Sequence, residues 1–140
     1  MGKLLSAFAA VALSTVVAAA HHSFAAEYDA NNQTTLVGTI TKVEWTNPHT
    51  WFFIDVKDPQ GAVVNWAIEG GAPTVLYREG WKPTSLKAGD QVTVTIALAK
   101  DKSKKQGNAY QFKLPDGRCV FAGSSGPAGG ATDNCTPGRR

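Results

Sequence analysis

One stretch, Gly70-Gly71-Ala72-Pro73-Thr74-Val75-Leu76-Tyr77-Arg78-Glu79-Gly80-Trp81, interrupts a chain that otherwise reads as strands. Pro73 suits the first turn of a helix, because its missing N–H would have no intrahelical partner there. Gly80 suits the left-handed position just past a helix end. Together they predict a short helix over Thr74–Glu79, with Trp81 packing back on Leu76. Pro83 then prevents the helix from resuming. Where this helix stands among the strands limits the fold more than any other feature.

Three strand signals precede it. LVGTITKVEW, from Leu36 to Trp45, is rich in Val, Ile, Thr and Trp. Leu36 and Ile40 share one phase while Val43 and Trp45 take the other, which predicts a bulge or sharp coil near Thr41. After the punctuation of Asn47-Pro48, a second strand runs from His49 to Val56 with Phe52, Ile54 and Val56 on one face. Asp58-Pro59-Gln60-Gly61 is a turn, and a third strand at Ala62–Ile68 completes a hairpin, with Val64, Trp66 and Ile68 alternating as core positions. Beyond the helix, Gln91–Ala99 sets Val92, Val94, Ile96 and Leu98 against Thr93, Thr95, Ala97 and Ala99. Lys100–Asn108 reads as a polar loop. Ala109–Leu114 and Arg118–Phe121 form a last strand or hairpin around Pro115-Asp116-Gly117. Strand, strand, strand, short helix, strand, strand is the element order of an OB-fold. The expected class is all-β with one short helix, a small five-stranded OB-fold-like barrel; another small barrel and a sandwich are the alternatives.

The first residues point to export. Met1-Gly2-Lys3 followed by an uncharged run to Ala20, ending in small residues, is the three-part pattern of a secretory signal. The expected organisation is a signal peptide over 1–20, an N-terminal arm over 21–35, the OB-like β-barrel domain over 36–121 and a flexible Gly/Ser/Pro-rich tail over 122–140. Cleavage after Ala20 makes His21 the new terminus. Cleavage after Ala19 gives Ala20-His21-His22, and cleavage after Ala25 discards both histidines. Localisation is then periplasmic or secreted, with no transmembrane segment after cleavage. The formal charge of +3 is mild, and export argues against a nucleic acid partner. Two cysteines in an exported chain, Cys119 and Cys135, read as a disulfide; two free thiols are the alternative.

Three constellations carry chemistry. An N-terminal His21 offers its amine and its ring to one ion, and His49, at the start of the second strand, offers a third nitrogen; His22 replaces or supplements it. Nitrogen ligands in this number suit Cu(II), so copper is the candidate cofactor and His21, His22 and His49 the candidate ligands. Against this, a lone histidine is more often structural. The second constellation is aromatic: Trp45, Asn47, Trp51 and Glu69 lie where OB-folds bind across the second and third strands, which would suit a glycan or a periplasmic protein partner. Trp45 and Trp51 plugging the barrel ends is the plainer reading. The third is the basic loop of Lys100, Lys102, Lys104 and Lys105, more simply a solvated tip. Phosphate loops, nucleophile elbows and HExxH are absent, so no enzyme is expected. Glu69, beside Gly70-Gly71, is the acid to watch, with capping of the helix as its ordinary role.

Several stretches are similar to a family of small exported bacterial proteins of unknown function: HHSFAAEYD at 21–29, GTITKVEWTNPHTW at 38–51, NWAIEGGAP at 65–73, LYREGW at 76–81 and LKAGDQVTV at 86–94. The matching positions include His21, His22, Phe24, Trp45, Asn47, Pro48, His49, Trp66, Gly70, Gly71, Leu76, Gly80 and Trp81. The resemblance covers about residues 21–124 and leaves out Cys135. It implies a bacterial, mostly periplasmic protein and brings no activity, substrate or cofactor. The function expected is a non-enzymatic ligand- or metal-binding module, with Cu(II) bound through the N-terminal histidine; the alternative is a protein- or glycan-interaction module using an aromatic barrel face.

Overall fold

Seventeen consecutive residues, Tyr28–Glu44, form strand β1 and serve as the frame on which the other strands assemble. The structure, a computed structural model, describes residues 23–123. A short helix α1 (Ser23–Glu27) precedes β1. Then come β2 (Trp51–Lys57), β3 (Val63–Glu69), helix α2 (Pro73–Arg78), β4 (Gln91–Ala99), β5 (Gln106–Lys113) and β6 (Cys119–Phe121). The first part of β1 pairs antiparallel with β4, from Tyr28 opposite Ala99 to Thr39 opposite Gln91. Its end pairs with β2, from Thr39 opposite Asp55 to Glu44 opposite Trp51. The expected bulge is present: the β1–β2 register shifts between Ile40 and Lys42.

The strand order is β3-β2-β1-β4-β5-β6, and β3 also pairs with β5, so the sheet closes into a ring. The closing pair is parallel and short: Ala67, Ile68 and Glu69 stand opposite Gln106, Gly107 and Asn108. This connectivity, with its helix between β3 and β4, is the OB-fold-like arrangement that the element order implies. The interior is one apolar cluster drawn from every strand of the ring, including Ile40, Phe52, Ile54, Ile68, Val94, Ile96 and Phe112. Phe52, Trp81 and Phe112 form its aromatic centre, with ring centroids 4.7 to 5.6 Å apart.

Helix α2 ends as its glycine dictates. Gly80 has φ +88°. Its N–H bonds Tyr77 O at 3.2 Å, and the N–H of Trp81 bonds Leu76 O at 3.0 Å. That reciprocal pair is a Schellman cap, and it delivers Trp81 and Leu76 together into the core. Trp81 Nε1 donates to Phe121 O at 2.7 Å, so the indole is buried without leaving its N–H unpaired.

Four details depart from the sequence reading. Within the expected 21–35 arm, the described residues carry regular structure: α1 occupies Ser23–Glu27, and Gln33–Thr35 pair with β4. Their polar side chains hid a strand whose backbone bonds are satisfied by the alternating partner Gln91–Ala99. Likewise β5 begins at Gln106, within the expected polar loop. The ordered chain also runs past 121, because Ala122 N donates to Tyr110 O and Gly71 N to Ala122 O; residues 124–140 lie outside those described. Trp66 is only half-buried, with Lys105 Nζ 5.7 Å from its ring centroid.

Gly38 sits where β1 changes partners. A Cβ there would fall against the carbonyl oxygen of Asp55 and 3.1 Å from Val56 Cγ2. Backbone oxygen cannot retreat without moving β2, so Gly38→Ala should destabilise the fold by about 1–3 kcal/mol. The measurement is the midpoint of urea denaturation; a midpoint unchanged from wild type would contradict the close approach.

Candidate functional site

A buried carboxylate is the most demanding group in the described structure. Glu69, the last residue of β3, is 6% exposed. Burying an ionised carboxyl is costly unless donors surround it, and two do. His49 Nδ1 is paired with Oε1, and the Tyr28 hydroxyl donates to Oε2. Tyr28 oxygen in turn accepts from Gln106 Nε2 at 2.7 Å. The four residues come from four places: the start of β1, the turn before β2, the end of β3 and the start of β5.

Local structure explains how they meet. Trp51 stands opposite Glu69 in the β2–β3 ladder, so His49, two residues earlier, lies beside the end of β3. The preceding turn contains the cis Asn47–Pro48 bond, and Thr46 Oγ1 holds His49 O at 3.1 Å. Tyr28 arrives from the other side. The β1–β4 register shifts between Asp29 and Gln33, and Asn31 N bonds the Asp29 side chain at 3.0 Å in the extra loop. Such a bulge re-aims the residues before it. Tyr28 lies on the outer face against Ala97 and Ala99, with Phe24 and Tyr110 around it. Alanine at those two β4 positions leaves room for the ring, whose hydroxyl reaches Glu69 and Gln106 at the β3–β5 seam.

Helix α1 is fastened to the same region. Lys100 N donates to Glu27 O at 2.9 Å, Lys100 Nζ donates to Ala25 O, and the Phe24 and Tyr28 rings are 5.6 Å apart. Between α1 and the β4–β5 loop lies a cleft of about 160 Å³, lined by residues that include Glu27, Lys100, Lys104 and Gln106.

The sequence-derived candidates separate into groups. His49 and Glu69 are brought together, with Trp51 half-buried beside Glu69 on the outer face. Glu69 does not cap α2, whose N-cap Ala72 has no side-chain cap bond. Trp45 turns to α2, its ring edge-on to Tyr77 at 5.6 Å. Asn47 is exposed in the turn. His21, His22 and Cys135 lie outside the described residues; Cys119 is buried in β6, and no cysteine among the described residues is free. Among the described residues no group of three His, Cys, Asp or Glu could hold a metal ion, and no helix is long and apolar enough to cross a membrane. Tyr28 and Gln106 escaped the sequence reading. The signal available was Tyr28 itself, an aromatic residue in an otherwise polar lead-in, which has no reason to be there unless it packs.

In a neutral His49 ring with its proton on Nδ1, facing the carboxylate, Nε2 keeps its lone pair; the side chain is 30% exposed. In that form the site presents one oriented nitrogen donor backed by a buried carboxylate.

Burial, and next the bond to Glu69, push the Tyr28 phenol well above its ordinary range. In the unfolded chain a tyrosine ionises at about pH 10, whereas folded Tyr28 keeps its proton beyond that. Above this pH the folded state holds the extra proton, so this contribution to stability is complete below pH ~10 and declines as pH rises further. Tyr28→Phe should flatten that alkaline decline. Unfolding free energies measured across the alkaline limb for both proteins test it; equal slopes would refute the shift.

Comparison with known proteins gives one family and nothing narrower. No curated protein and no solved structure matches. The family model described as "Family of unknown function (DUF6152)" matches residues 9–109, which include β1, β2, β3, α2 and β4 and all four residues of the Tyr28–Glu69–His49–Gln106 group. The chain belongs to this family of unknown function.

Proposed function

We propose that the mature protein is a periplasmic Cu(II)-binding module whose ligands are the amine and ring of an N-terminal His21 together with Nε2 of His49. The observation that carries this reading is the pairing of His49 Nδ1 with buried Glu69. A histidine that ligates a metal through one nitrogen commonly donates its other N–H to a carboxylate, which fixes the ring and raises its basicity. Glu69 stands in that relation to His49, and the free nitrogen belongs to the more exposed partner.

The chain has three histidines. With His49 the sole one among the described residues, further nitrogen ligands have to come from His21 and His22. Both immediately precede α1, and α1 runs directly into Tyr28, which is bonded to the same Glu69. Five helical residues advance a chain by only about 8 Å, so little chain separates these histidines from the His49 group. The docking of α1 also favours cleavage ahead of it, after Ala20, over cleavage after Ala25, which would cut the helix in two. Nitrogen donors without a thioether suit Cu(II) over softer Cu(I); the one methionine is Met1. The reading as a protein- or glycan-interaction module has less support: Trp45 packs on the core and on Tyr77, Lys42 Nζ lies 5.0 Å from the Phe53 ring centroid, and Lys105 Nζ lies 5.7 Å from the Trp66 ring centroid, so these rings already have partners.

The test uses protein exported to the periplasm, with its N-terminus read by intact mass. A chain beginning at His21 should take up one Cu(II), and uptake should be lost in His49→Ala and in a form with one extra residue ahead of His21. Equal uptake by the extended form, or a mature mass starting at Ala26, would overturn the proposal.

A further inference from the structure

We propose that Tyr28 is a positioning residue of the His49 site, acting through Glu69 and directed by Gln106. This rests on the metal-binding reading for its consequence, though the positioning itself can be measured without metal.

The hydrogen-bond directions leave little choice. Gln106 Nε2 is a donor only, so the Tyr28 oxygen accepts from it at 2.7 Å. The single phenolic proton is thereby directed to Glu69 Oε2. The terminal torsion of a glutamate is broad and nearly two-fold. One bond, from His49 to Oε1, would leave the carboxylate free to turn about it. The second bond, from Tyr28 to Oε2, fixes its plane. A carboxylate held this way offers Oε1 as an acceptor to His49 Nδ1 and nothing else, which selects the tautomer with the proton on Nδ1 and the lone pair on Nε2. Tyr28 is 2% exposed, so bulk water does not replace its hydroxyl.

Position in the chain adds a second role. Tyr28 is the first residue of β1 and directly follows α1. The residue that orients the His49 ring is thus also the one that ties α1 to the site. Nothing in the β-ladder requires a hydroxyl at Tyr28, since its backbone pairing with Ala99 would be met by phenylalanine.

The experiment compares the mature wild type with Tyr28→Phe and Gln106→Ala. Imidazole ¹⁵N shifts of the metal-free proteins, at a pH where the ring is neutral, report the His49 tautomer. Wild type should hold the proton on Nδ1, and Tyr28→Phe should move a measurable share of it to Nε2. Gln106→Ala should act in the same direction and stands in if Tyr28→Phe does not fold. In Cu(II) titration, Tyr28→Phe should weaken binding about tenfold, as loss of such outer partners does, with an altered EPR spectrum. Unchanged tautomer, affinity and spectrum in a folded variant would overturn the positioning role while leaving the copper reading standing. A tautomer shift in a protein whose wild type takes up no Cu(II) would overturn the copper reading and support the positioning.

Discussion

The ring closes through a parallel pair of only three residues on each side, Ala67–Glu69 against Gln106–Asn108. So short a ladder contributes few backbone bonds, and one more comes from Ala67 N to Lys105 O at 3.0 Å. What spans the seam beyond the backbone is the side-chain group on its outer face. Glu69 belongs to β3, Gln106 to β5, and Tyr28 touches both while rooted in β1. The group that presents His49 is therefore also a clasp on the closure of the sheet. Losing the Tyr28 hydroxyl or the His49 ring would leave a buried carboxylate short of a donor, at a cost typical of unsatisfied buried polar groups, about 1–3 kcal/mol and more for a charged one.

The closure was legible in the sequence as far as local signals reach. The alternation of Gln91–Ala99 gave β4 at its observed boundaries. The pairing of Pro73 with Gly80 placed α2 and its Schellman cap, and the phase slip around Thr41 located the bulge. These features are written in neighbouring residues, where turn chemistry and two-residue periodicity decide the outcome. The start of β1 and the start of β5 are not. Asp29, Asn31, Asn32 and Gln33 carry no strand pattern, and what makes a strand of this region is a distant apolar partner, with Asp29 opposite Leu98 and Gln33 opposite Ala97. Tertiary pairing overrides propensity there.

The candidate site was legible residue by residue but not as a group. His49 drew attention as a nitrogen donor and Glu69 as an isolated acid, each for a separate purpose. Their meeting depends on the β2–β3 register, which sets Trp51 opposite Glu69, and on the turn that swings His49 back beside that pair. Tyr28 joins from 41 residues away, by way of a bulge that no local pattern announces. The aromatic residues show the converse. Trp45 and Trp51 are close in sequence, yet the strand end between them sends one to α2 and leaves the other on the outer face.

The chemistry of position 69 follows from its being an acid and not an amide. An ionised carboxylate is acceptor-only, so it can receive the His49 N–H and the Tyr28 O–H at the same time. A glutamine of the same shape has one acceptor oxygen and a donor nitrogen. One of its ends would face a donor it cannot satisfy, unless His49 turned its lone pair inward or Tyr28 turned its proton away. Tyr28 cannot easily do so, because Gln106 already donates to its oxygen. The strain would fall on His49, whose Nδ1 would accept the amide proton and whose Nε2 would then carry the hydrogen. An acceptor-only carboxylate at position 69 thus favours the form of His49 in which Nε2 is a donor of electrons, and the desolvation cost of burying it is offset by the two hydrogen bonds that also clasp the ring shut.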